Sequence, residues 1–90
     1  MGLLLAAALA AHIQTGGDLL AACSAQDTSA CDAFIHEQMV ADVSYGCVDL
    51  RQIKRLRETT LQGLKSHPSA QSKPAKKALD VAFSADSCML

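Results

Sequence analysis

Four cysteines, at positions 23, 31, 47 and 88 of a 90-residue chain, are the side chains most able to do chemistry here. Seven, fifteen and forty residues separate them in turn. Structural zinc sites usually place ligand pairs two to four residues apart, so this spacing argues against a metal. Thiol redox catalysis calls for Cys-x-x-Cys, which the chain lacks. An even number of well-separated cysteines is instead the pattern of a disulfide framework, which forms and persists in an oxidising compartment.

The remaining reactive types do not assemble into a constellation. His12, His36 and His67 are scattered, and no glycine-framed serine accompanies them to make a nucleophile–histidine pair. His67 before Pro68 reads as a helix C-terminal residue favoured by the dipole. No catalytic residue, cofactor or enzyme activity is expected. Arg51, Lys54, Arg55 and Arg57 form a basic cluster that invites comparison with a DNA-reading helix. The net charge of −1 and the presence of only Phe34, Tyr45 and Phe83 as aromatics argue against nucleic acid. Charge is nonetheless lopsided. Residues 1–50 hold six acids and no Lys or Arg, whereas residues 51–90 hold all eight bases and three acids, giving −6 and +5. Packed acidic and basic helices explain this most simply, and a steering patch for a charged partner is the functional alternative.

Positioning these residues falls to helices, because apolar residues recur at three and four rather than at two. We read a small all-α, four-helix, disulfide-stapled domain. The first helix runs from an Asp18 N-cap through Leu19, Leu20 and Cys23. A polar loop leads to Ser29, which caps the second helix, and Asp32 adds negative charge to its first turn. Phe34, Ile35, Met39 and Val43 form its inner face, and Gly46 ends it. Asp49 and Gln52 resemble a capping box for the third helix. Leu50, Ile53, Leu56, Thr60, Leu61 and Leu64 make its stripe, which Arg57 interrupts and His67-Pro68 stops. After a polar connector, Pro74 opens the fourth helix as its first residue, with Ala75, Ala78, Leu79, Ala82 and Phe83 on one face.

Residues 1–11 are expected to be a signal-peptide remnant, and residues 12–90 one helical domain. The apolar run from Leu3 to Ala11 is far short of the ~20 residues of a spanning helix, so no stable membrane insertion is expected. No Lys or Arg precedes it. It is either a signal whose start has been trimmed or the buried first turn of a helix, and the cysteine count favours the signal.

The helix map also chooses among the three connectivities open to four cysteines. Cys31 and Cys47 bracket a second helix of ~15 residues, which at 1.5 Å per residue holds them roughly 20 Å apart. That exceeds the reach of a disulfide and disfavours 23–47 by the same reasoning. The expected pairs are Cys23–Cys31 and Cys47–Cys88, contributing about 2.6 and about 4 kcal/mol by loop entropy.

In order along the chain stand Gly17-Asp18-Leu19-Leu20-Ala21-Ala22-Cys23, Cys31 with Phe34-Ile35, Cys47-Val48, Leu64 with His67-Pro68, Pro74-Ala75, Ala78-Leu79, Ala82-Phe83 and Cys88. With this order of features the chain from Leu19 to Cys88 resembles the Rap/Tai-like periplasmic immunity proteins of type VI secretion, which neutralise peptidoglycan amidase effectors. The chain departs from the family at Phe34, where Tyr is common, at Glu37, where Gly is common, and at Asp49, where Pro often stands. The resemblance implies an exported, commonly dimeric, non-enzymatic inhibitor that blocks the cleft of a cognate amidase in the Gram-negative periplasm. Its partner-binding residues are expected on an exposed segment around Ser44, Tyr45, Arg51, Lys54 and Arg55, since Tyr and Arg favour binding hot spots. The plainer alternative is that Tyr45 packs at the helix end and the arginines are solvated. A small periplasmic acid-stress chaperone is the competing class, expected to loosen near pH 2–3 as carboxylates protonate.

Overall fold

A side-chain cap marks the start of the first helix and of the first 3-10 turn in the computed structural model, which describes residues 12–83. Helix α1 (Gly16–Ser24) starts at Thr15, whose Oγ1 accepts from Asp18 N at 3.1 Å while Asp18 Oδ2 accepts from the N–H groups of Gln14 and Thr15. Asp18 is thus the third residue of a capping box and not the cap itself. Those backbone donors, Gln14 first, hold its carboxyl below the usual carboxylate range. Helix α2 (Ser29–Ala41) follows Thr28, with Ser29 already helical. It ends five residues before Gly46. Asp42 takes over there as the cap of a 3-10 turn, Val43–Tyr45, and this early stop turns Val43 away from the expected inner face.

Helix α3 (Ile53–Ser66) has Gln52 at its cap position without a side-chain cap bond. The expected Asp49–Gln52 box does not form, because Asp49 Oδ1 accepts from Arg51 N and Arg51 Nε, both at 3.0 Å. His67 closes α3: its N–H donates to Gly63 O at 3.0 Å, and its Nδ1 lies 3.0 Å from the same carbonyl. A carbonyl only accepts, so the ring carries a proton at Nδ1. The polar connector folds as a second 3-10 turn, Pro68–Ser72, with Ala70 buried. Helix α4 (Ala75–Ala82) follows Pro74, which sits at the cap position rather than at the first helical one. An isolated antiparallel bridge between Thr15 and Pro74 ties the start of α1 to the start of α4.

Leu19 of α1, Ile35 of α2, Thr60 and Leu64 of α3, and Ala78 and Leu79 of α4 form the fully enclosed centre of this all-α domain. Thr60, the one polar residue there, donates its hydroxyl to Leu56 O at 2.8 Å. Arg57, the expected interruption of the α3 stripe, makes a bidentate pair with Asp32 of α2 at 2.8 and 3.1 Å. It fastens the two helices where the apolar stripe gives out.

Two glycines allow the closest approaches. A Cβ on Gly63 would stand 2.5 Å from both Cα and Cβ of Ala82, and one on Gly16 would overlap Ala70 O. Cys23 and Cys31 are bonded with Cα atoms 4.9 Å apart, closing the α1–α2 hairpin. The expected partner of Cys47 is Cys88, which lies outside the described residues, as does the 1–11 segment. Within the described residues, no helix is long and apolar enough to cross a membrane.

Candidate partner-binding surface

The turn that ends α2 is held from both sides. Asp42 Oδ1 accepts from Ser44 N and from Ser44 Oγ, at 3.0 and 2.6 Å, and Asp42 Oδ2 accepts from Lys76 Nζ of α4 at 2.8 Å. Lys76 also donates to Asp80 Oδ1 at 2.8 Å, and the Tyr45 hydroxyl donates to that same oxygen at 2.7 Å. The Tyr45 ring meets Phe83 edge-on, with centroids 5.9 Å apart, and Lys76 Nζ stands 5.5 Å from its centre. Hydrogen bonds from Asp42 and Tyr45 to Lys76 and Asp80 therefore lock a three-residue turn onto α4.

The electrostatics follow from those contacts. The Lys76 ammonium, then the Ser44 donors, hold the Asp42 carboxyl far below the usual range. Desolvation works to lower the pKa of Lys76, but its bonds to Asp42 and Asp80 outweigh that and the net shift is upward. Burial, reinforced by Asp80, pushes the Tyr45 phenol well above its ordinary value, so it remains a donor throughout the physiological range.

What the turn presents is apolar. Val43 is 93% exposed and Val40, one turn earlier on α2, is 62% exposed; they are the large hydrophobic residues standing in solvent among those described. His36 and Glu37 precede Val40 on the same exposed face of α2.

Tyr45 itself does not belong to an exposed segment. It is only 2% exposed, since the one tyrosine of an aromatic-poor chain fills the core beside Phe83 and finds its polar partner in Asp80. Ser44 is half-buried and turned toward Asp42. Arg51, Lys54 and Arg55 are exposed as expected, with the Arg51 side chain 91% exposed while paired to Asp49. Arg55 lies on the wall of a surface cleft of about 270 Å3 with Gln52 and Thr59, over Val48, Leu56 and Phe83. Phe83 thereby connects the cleft to the Tyr45 contact. Val40, Val43, Lys76 and Asp80 were not singled out from the sequence as parts of a surface. The one local signal was Asp42-Val43-Ser44, an Asp followed two residues later by Ser, which favours a turn over a continuing helix.

This arrangement can bind and orient; the described residues bring no three His, Cys, Asp or Glu together as a metal-holding group. Comparison of the chain with protein-family models, curated proteins and solved structures finds no match.

Proposed function

We propose that this protein is an exported immunity-type binder, which captures a cognate type VI secretion peptidoglycan amidase in the periplasm and blocks it, sparing the producing cell and its siblings. The observation that carries the reading is the rigid presentation of Val43. Val43 and, one turn earlier, Val40 are the large hydrophobic side chains left in water among the described residues, and apolar surface gains by being covered on binding. The small all-α domain with its α1–α2 hairpin closed by Cys23–Cys31 supports the placement outside the cytoplasm. The order of features from Leu19 to Cys88 supports the choice of partner, and with it the expectation of a homodimer.

Periplasmic co-expression tests the proposal. A peptidoglycan amidase chosen as candidate partner is directed to the periplasm with and without this protein, and lysis is followed by culture density. Lysis by the amidase alone and growth when both are present are expected. Unchanged lysis, with no complex formed with any adjacent gene product, would sink the proposal.

A further inference from the structure

We infer that the bond made by Cys47 is a clasp fastening residues 84–88 across the cleft beside α3, and that a dithiol reductant opens it without unfolding the domain. The members of the clasp follow by elimination. Cys47 is disulfide-bonded, Cys23 and Cys31 are bonded to each other, and Cys88 is the one cysteine left in the chain. Both ends of the segment are set at the cleft, since Cys47 stands on its wall and Phe83, the last described residue, on its floor. The five residues from Phe83 to Cys88 reach roughly 17 Å at most. A segment that short, anchored at the floor and the wall of one cleft, stays over it. Charge agrees with this occupant. Among the described residues the lining holds two charges, Asp49 and Arg55. Arg51 answers Asp49, and Asp86, the one charged side chain of residues 84–90, has the sign that suits Arg55.

The two disulfides differ in access. Cys23 and Cys31 are 2% and 0% exposed, sealed in the core, whereas Cys47 is exposed. Exchange requires a thiolate to reach a disulfide sulfur, so the Cys47 bond is the one open to attack. A dithiol breaks it in two exchanges. The S–S bond is lost, Cys47 and Cys88 become thiols with the dithiol's two protons, and the dithiol becomes a disulfide. Helix α4 stays in place, because Leu79 and Phe83 are buried and Lys76 and Asp80 still hold Asp42 and Tyr45. Only the cover is released. The oxidised protein thus presents a closed cleft, and the reduced one opens Leu56 and Phe83 beside Arg55.

The test is graded reduction of the whole oxidised chain by dithiothreitol under native conditions. Free thiols are trapped with iodoacetamide and assigned by peptide mass mapping. Cys47 and Cys88 should be trapped together, about tenfold or more faster than Cys23 and Cys31. Circular dichroism should keep its helical signal at that stage. Hydroxyl-radical footprinting of the same trapped protein should show Leu56 and Phe83 gaining label, with Leu64 in the core unchanged. Trapping of all four cysteines at one rate overturns the inference, as does loss of helix with the first bond. A Cys47 peptide linked, before reduction, to any cysteine other than Cys88 overturns the clasp. Unchanged labelling of Leu56 and Phe83 once the bond is open overturns the cover.

Discussion

Replacing Gly63 by Ala should destabilise this domain, although the same change at an open helical site would stabilise it. Alanine improves on glycine by about 1 kcal/mol in a helix interior, through backbone entropy. At Gly63, however, the new Cβ would lie 2.5 Å from Cα and Cβ of Ala82 and 3.0 Å from Ala82 O. Ordinary contact begins near 3.4 Å, so α3 and α4 must separate by about 1 Å, since two of the three atoms in the way are backbone and the third is the Ala82 Cβ, which is fixed to it. Overpacking of this kind costs about 1–3 kcal/mol, and the stiffness of both helices places it at the upper end. The net loss is about 2 kcal/mol. Urea unfolding followed by circular dichroism, with the disulfides oxidised, should show the midpoint lowered by about 1–2 M at an unchanged slope. Adding Ala82→Gly should restore only part of the loss, because the clash with the Ala82 Cα remains. A midpoint for Gly63→Ala at or above that of wild type would refute the close packing of α3 on α4.

Other contacts make separate predictions. Tyr45→Phe keeps the ring against Phe83 but removes the donor to Asp80, and should cost about 1 kcal/mol in thermal or urea unfolding. Tyr45→Ala, which empties the core beneath the turn, should cost about 3–5 kcal/mol. Arg57→Lys should destabilise by about 1 kcal/mol despite keeping the charge, because an ammonium cannot reproduce the two parallel bonds to Asp32; equal stability would mean that the fork geometry contributes nothing. The pH dependence turns on Asp42. Its carboxyl is held below the unfolded value of about 4, so its contribution is complete above that value and is lost as pH falls toward the folded one. Wild type should therefore lose stability between about pH 5 and pH 2 more steeply than Asp42→Asn; parallel curves would show that the Lys76 and Ser44 contacts do not hold in solution.

Helix identity was legible because the 3.6-residue stripe and the His67-Pro68 stop are local. Leu19, Ile35, Leu64, Ala78 and Leu79 are all buried where that periodicity places them. The Cys23–Cys31 pair was legible for a related reason, since a short loop between two helices leaves little choice of geometry. Boundaries were less so. Asp18 reads equally well as a cap or as the third residue of a capping box, and only Thr15 accepting from its N–H decides. Val43 continues the apolar spacing of α2, yet Asp42 bonds to Ser44 and Lys76 and ends the helix first. The contacts that lock the turn span 34 and 35 residues of sequence, beyond the range of any periodicity. For the same reason the sequence left Tyr45 open between a surface contact and a packed residue: the partners that decide for packing, Asp80 and Phe83, arrive from α4 and its end.

The central claim is that this domain acts by binding a peptidoglycan amidase. Its most direct measurement is an inhibition titration, in which the purified amidase that the co-expression test pairs with this protein digests peptidoglycan while the protein is added in increasing amounts. We predict that hydrolysis falls in proportion to the protein added and stops at a fixed stoichiometry. Hydrolysis that continues unchanged in large excess of folded, oxidised protein would contradict the account.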